Sequence, residues 1–171
     1  DAGHQRHGGG AAQRVGVHVA GHADGEGADK GPEALLDASA NMELYDIETD
    51  SEPYTIGLFT DEPLEYETPE EGAEVTEEKV RGYLEKNKMT CLLGGEHSIS
   101  AGAIAAYAKK FKNLTVLQLD AHSDMREEYH GSKYNHACVM ARAKDLCPVV
   151  QVGIRSMDKG ELPNIDRKRV F

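Results

Sequence analysis

From residue 76 onward the apolar positions change their period repeatedly. Val80, Tyr83 and Leu84 recur at i, i+3 and i+4, the spacing of one helical face. Thr76 reads as the cap of that helix, with Glu77 and Glu78 in a first turn where the positive end of the dipole favours acids. Asn87 suits its end. Residues 89–93 then read as a short buried strand, closed by Gly94 and Gly95. Ser98 reads as the cap of a second helix, with Ile104, Tyr107, Ala108 and Phe111 at i, i+3, i+4 and i+7. A strand over 114–119, a helix near 136–146 and, after Pro148, a strand over 149–154 complete the series. Helix and strand alternating at this spacing predicts βαβ units and a parallel sheet. The strands are apolar runs rather than alternating ones, which predicts helices on both faces. The expected fold is therefore α/β, a three-layer α/β/α sandwich.

Upstream the pattern is weaker. GPEALLDAS (31–39) suits a short helix, with Pro32 in its first turn. Residues 40–75 are acidic and turn-rich, with a short strand or extended piece expected at 56–59. Before residue 30 only Val15, Val17 and Val19 alternate, enough for one short strand. That stretch holds eight of the eighteen glycines and the histidines His4, His7, His18 and His22. Residues 1–29 thus form an atypical Gly/His-rich segment, expected to be disordered or poorly packed. The irregular histidine spacing, without nearby cysteines, argues against a metal tract.

Charge narrows the function. The formal net charge is -11. Residues 31–78 hold sixteen acidic side chains and no Lys or Arg, while 79–171 holds ten acidic and sixteen basic ones. Such a balance argues against nucleic acid or an anionic membrane surface as partner. No apolar run approaches the roughly 18 residues of a membrane span. Cys91, Cys138 and Cys147 lack disulfide-like spacing and read as free thiols in a reducing compartment, which points to the cytoplasm.

In open α/β sheets ligands sit beyond the carboxyl ends of the strands. Here those ends carry GGEHS (94–98), DAHSD (120–124) and Arg155-Ser156. Asp120, His122 and Asp124 alternate, so an extended backbone would put them on one face. Two carboxylates that close repel unless a cation lies between them. With imidazole added, the donors suit Mn, Fe, Co or Zn better than Ca. His97 supplies a second imidazole, and one carboxylate between two imidazoles invites a two-metal site. Taken singly, DAHSD could be a polar loop and His97 a structural histidine. No GxGxxG or GxxxxGK[ST] phosphate motif is present.

GGEHS and DAHSD together resemble the first two metal motifs of the ureohydrolases, the family of arginase and agmatinase. GSKYNHACVMARA (131–143), QVGIRSMD (151–158) and KGPEALLDASANMELYD (30–46) resemble further family segments in the same order. The details look most like agmatinase. The resemblance implies an arginase-like fold and two Mn2+ ions per complete site. It implies that His97 and Asp124 bind one ion, His122 binds the other, and Asp120 bridges them. Asp124 would also be the carboxylate that relays a proton, and His136 the histidine that shuttles a proton or contacts substrate. Arg155 fits equally as a salt-bridge partner. The implied reaction is hydrolysis of a guanidino substrate, agmatine to urea and putrescine, within polyamine synthesis. Arginase-type or guanidinobutyrase-type activity, or a non-catalytic relative, remain alternatives. Full-length relatives are trimers or hexamers, so a homo-oligomer is implied.

The sequence departs from the family in two places. The third metal motif, SxDxDxxDP, is missing, and Asp158, Glu161 and Asp166 do not fit its spacing. Residues 30–171 are therefore expected to be the N-terminal part of a ureohydrolase domain, weak in metal binding and inactive alone. In place of the family's GVPxDxTxSxRPGxRxGP stands VGVHVAGHADGEGADKGP (15–32). A shifted reading frame over residues 1–29 would account for it, and the other frames of the coding DNA test this. Glu96 stands where many family members have Asp.

Overall fold

The computed structural model describes the backbone of residues 15–20 and all of residues 28–171. The histidines at 4, 7 and 22, and the side chain of His18, lie outside the described residues. The elements are β1 (Val15–Ala20), α1 (Gly31–Ser39), β2 (Leu58–Thr60), α2 (Pro69–Glu85), β3 (Met89–Gly94), α3 (Ser100–Lys110), β4 (Val116–Leu119), α4 (Val139–Lys144) and β5 (Val149–Val152).

All strand pairings among these elements are parallel, as the alternation predicts, but they make two sheets rather than one. One has the order β2-β1-β3 and the other pairs β4 with β5. The valine alternation at 15–19 thus marks the central strand of the first sheet. The backbones of β3 and β4 do not pair. Periodicity reports each strand's burial and not its neighbour, so this break left no mark on it. Beyond β5, Phe171 N–H donates to Gln151 O at 2.9 Å and Gln151 N–H to Arg169 O at 2.8 Å, a parallel pairing along its outer edge.

Expected helices on both faces are found only in part. Val116 and Val149 pack with Ala73, Ala101, Val139 and Met140 from α2, α3 and α4. Leu117 and Leu119, alternate residues on β4, are 61% and 73% exposed. Their face is uncovered among the described residues.

Helix α2 begins earlier than its apolar stripe. Thr68, not Thr76, caps it, accepting from Glu71 N–H at 3.2 Å, with Pro69 in the first turn. Thr76 is wholly buried within the helix, and its hydroxyl has no partner among the described residues. Asn87 closes α2 in the left-handed conformation (φ 55°), and Lys88 N–H donates to Tyr83 O at 3.0 Å. Val80 and Leu84 meet Ala106 of α3 in the core. At Gly102 a Cβ would collide with the carbonyl oxygen of Ala73, so glycine sets how closely α3 approaches α2.

The remaining boundaries shift modestly. Glu96, rather than Ser98, caps the turn at His97–Ile99 that leads into α3. The helix near 136–146 is a 3-10 turn, His136–Cys138, followed by the short α4. The short strand expected at 56–59 is β2, shifted to 58–60 and preceded by a 3-10 turn, Pro53–Ile56. Strands β4 and β5 are shorter than 114–119 and 149–154. Cys91, Cys138 and Cys147 are free. No helix among the described residues is long and apolar enough to cross a membrane.

Candidate metal centre

Three of the four expected ligands come together. His97, Asp120 and Asp124 each offer a ligand atom, all within 4.8 Å of one another. His97 begins the turn after β3, and Asp120 follows β4 directly. His97 Nδ1 lies 2.7 Å from Asp124 Oδ2 and 3.8 Å from Asp120 Oδ2. His122 falls outside the cluster. Its side chain is 67% exposed, with Nδ1 3.5 Å from Asp120 Oδ1. Asp120 therefore reaches both imidazoles with different oxygens.

The loop is not the extended ribbon that alternation suggests. Asp124 sits at φ 51°, in the left-handed region. This conformation costs an ordinary residue about 1–2 kcal/mol, and Asp tolerates it better than most. The turn aims Asp124 inward while His122 faces out. Met140 N–H and Ala141 N–H, at the start of α4, donate to Asp124 O at 3.0 and 3.2 Å.

The loop is braced by side chains that carry no motif. Gln118 Nε2 donates to His122 O at 3.1 Å and to Asp124 Oδ2 at 3.2 Å. Gln151 Nε2 donates to Gln118 Oε1 at 2.6 Å and to Ser123 O at 2.7 Å. Glu161, 5% exposed, accepts from Ser123 Oγ–H and Met125 N–H. Arg155 and Ser156 donate their N–H groups to Ala121 O. The Arg155 guanidinium is exposed and, among the described residues, bonds to Gly153 O and takes no part in the cluster. Gly153, at φ 90°, lets the chain turn there, and a Cβ would stand 3.2 Å from Asp120 O.

Electrostatics follow from this geometry. Burial alone would lower the His97 pKa. The Asp124 hydrogen bond and the charges of Asp124, Asp120 and Glu96 outweigh it, holding the imidazole above its usual value. Burial works to raise the Asp120 pKa, but the His122 N–H bond and the positive His97 bring it below the usual carboxylate range. Both shifts favour a positive charge between the two carboxylates. The donors, one imidazole and two carboxylates, fit a divalent transition metal.

A cleft of about 350 Å³ opens beside the cluster, lined by His122, Asp124, Arg126, Tyr129, His136 and Asp158 among others. His136 is in this wall, its ring edge-on to Tyr129 at 5.8 Å, rather than among the clustered donors. Arg126 stacks over the same Tyr129 ring at 4.7 Å.

Two carboxylates and an imidazole at the carboxyl ends of parallel strands, beside a polar cleft, make a donor set that could hold a cation in an α/β protein. The family model described as Arginase family matches residues 13–171, and the chain belongs to that family. An N(1)-aminopropylagmatine ureohydrolase from Synechocystis is 36% identical over 154 residues, covering 85% of this chain and 50% of the relative. An agmatinase from Bacillus subtilis is 33% identical over 136 residues, covering 77% and 47%. The solved agmatine ureohydrolase of Thermoplasma volcanium superposes with a TM-score of 0.82 at 31% identity, covering 93% of this chain and 56% of that one. The fold is thus arginase-like, and the chain spans about half the length of the curated relatives it matches.

Proposed function

We propose that the chain is the N-terminal part of a dinuclear manganese hydrolase that cleaves a guanidino substrate, agmatine, into urea and putrescine. The observation that carries this reading is the His97–Asp120–Asp124 cluster opening directly on the cleft that holds His136. His97, Asp120 and Asp124 would hold one metal, and His122 with the far oxygen of Asp120 would help hold a second. Bound metals of this kind supply a nucleophile from water at neutral pH and polarise the carbon under attack. Asp124 can take up a proton and hand it to the departing amine nitrogen. His136, in the cleft wall, is placed to hold or pass a proton on the way to solvent. The amine leaves as putrescine when the guanidinium C–N bond breaks, and the guanidinium carbon leaves as urea.

A second substrate has its own support. The Synechocystis relative and a Thermus thermophilus relative, 34% identical, are both named for N(1)-aminopropylagmatine, which extends agmatine by a further amine. We assign the protein to the cytoplasm on its three free thiols and to a homo-oligomer on its family resemblance. We keep residues 1–29 as an atypical Gly/His-rich segment, of which residues 13–29 fall within the family match and Val15–Ala20 form β1.

The test joins this chain, at Phe171, to the C-terminal half of the Bacillus subtilis relative and measures urea release with Mn2+. The 171-residue chain alone should release little. The chimera should release urea from agmatine or N(1)-aminopropylagmatine and far less from arginine. Arginine as the best substrate overturns the substrate reading. A folded, metal-loaded chimera without urea release overturns the hydrolase reading.

A further inference from the structure

The geometry points to Glu161 as a positioning residue that holds Asp124 in its inward, left-handed conformation by bonding the residues on either side of it. This rests on the reading of the His97–Asp120–Asp124 cluster as a metal centre. Glu161 lies beyond β5, 37 positions from Asp124, and is 5% exposed. A buried carboxylate is costly unless donors surround it. Here they do. One oxygen, Oε1, accepts Asp158 N–H at 3.1 Å and stands 3.3 Å from Arg126 Nε. That bond completes a capping box for the turn Lys159–Asn164.

The capping box uses only Oε1. The second oxygen, Oε2, turns the other way and accepts from Ser123 Oγ–H and, at 3.4 Å, from Met125 N–H. Both neighbours of Asp124 are thereby fixed to one rigid acceptor. Ser123 is wholly buried, so its hydroxyl has no water to turn to. With the two flanks pinned and its own carbonyl held by Met140 and Ala141, Asp124 has little freedom to swing outward. Groups that orient a metal ligand in this way typically change metal affinity by about 10- to 100-fold when removed.

The experiment compares the 171-residue chain with Glu161→Ala, Glu161→Gln and Ser123→Ala, using two readouts. The first is amide hydrogen exchange without metal. Glu161→Ala should speed exchange at Met125, Met140 and Ala141 while leaving the amides of α2 unchanged. The second is Mn2+ affinity, read from the spin-resonance signal of free Mn2+. Glu161→Ala and Ser123→Ala should each weaken binding by about 10- to 100-fold. Glu161→Gln should fall between them and the parent, because it keeps a partner for the Ser123 hydroxyl but can turn a donor toward Met125 N–H.

A purely capping role would lower the melting temperature without moving either readout, and that result overturns the proposal. Unchanged exchange at the three amides also overturns it. Should Glu161→Ala not fold, Ser123→Ala carries both readings. If the parent binds Mn2+ no better than Asp124→Ala, the metal reading fails instead. The exchange data alone then decide whether Glu161 holds Asp124.

Discussion

Asp124 is 9% exposed, and its carbonyl and its carboxylate both have partners from distant parts of the chain. The His122 side chain, two positions earlier in the same loop, is 67% exposed and, among the described residues, pairs with Asp120 at 3.5 Å. Both residues come from one motif of five letters. The difference between them comes from what surrounds the loop: β5, the start of α4 and the turn that bears Glu161 all brace the Asp124 side. Nothing among the described residues packs over His122. One half of the candidate centre is therefore preorganised by this chain, and the other half is left open. A metal ligand held rigid before binding loses less freedom when the ion arrives. The His97–Asp124 side should accordingly bind first and more tightly.

The strongest attempt to break this contrast is Asp124→Ala. It removes a donor and leaves His97 Nδ1 and Gln118 Nε2 without their buried partner. Mn2+ affinity should fall by about 100-fold or more, near 3 kcal/mol at 1.4 kcal/mol per decade. Titration calorimetry checks this, and a loss under tenfold would mean that Asp124 is not a principal ligand.

Next in size is Gln151→Leu, which tests whether the bracing itself matters. Gln151 is 1% exposed and ties Gln118 to the Ser123 carbonyl. Leucine fills similar space but leaves Gln118 Oε1 and Ser123 O unpaired, each costing about 1–3 kcal/mol when buried. Chemical denaturation should show a loss of about 2 kcal/mol or more. Mn2+ affinity should drop with it, since Gln118 also steadies Asp124. Lost stability with unchanged affinity would separate bracing from metal binding.

The order in which these features could be read follows from what kind of force makes each. Helix and strand alternation was visible because apolar spacing reports burial directly. The two motifs were visible because titratable residues stood where each strand runs out. Asn87 announced its left-handed turn by residue type. The start of α2 lies well before the apolar stripe, at a capping signal, Thr68-Pro69-Glu70-Glu71. The positions after it that face the core are small, Gly72 and Ala73, and lack the weight to mark a stripe. Gln118 and Gln151 sit inside apolar runs, which mark the strands but say nothing of these two side chains. Their bond joins positions 33 apart, and no local pattern encodes such a pairing. Glu161 stands near Asp158 and Asp166 at a spacing that fits no metal motif, and local sequence assigns it no other role. Its burial, and its use of both oxygens, emerge only from the folded chain.

A smaller effect comes from pH. In the metal-free protein the His97 pKa lies above its ordinary 6.5. The folded state therefore favours the protonated form. That stabilisation is fully present below pH 6.5 and fades as pH rises through the folded value. Mn2+ competes with the same proton, so its affinity should rise over the same window. Melting temperatures with and without Mn2+ should thus diverge as pH increases. His97→Asn should flatten both trends. If the metal-free chain instead gains stability across that window relative to His97→Asn, the buried side of the site does not hold a proton as described.

The smallest effect is expected at His122, and it tests the open side. His122→Ala removes an exposed ring whose one neighbouring carboxylate also has other partners. Folding stability should stay within about 0.5 kcal/mol of the parent, as for surface positions generally. The first equivalent of Mn2+ should bind nearly as before, because His97 and Asp124 keep their geometry. Any second equivalent should be lost, since His122 and the far oxygen of Asp120 are the donors this chain offers to it. Calorimetry that resolves the two equivalents distinguishes these outcomes. Loss of the first equivalent in His122→Ala would reverse the contrast, making the exposed imidazole the anchor and the braced carboxylate secondary.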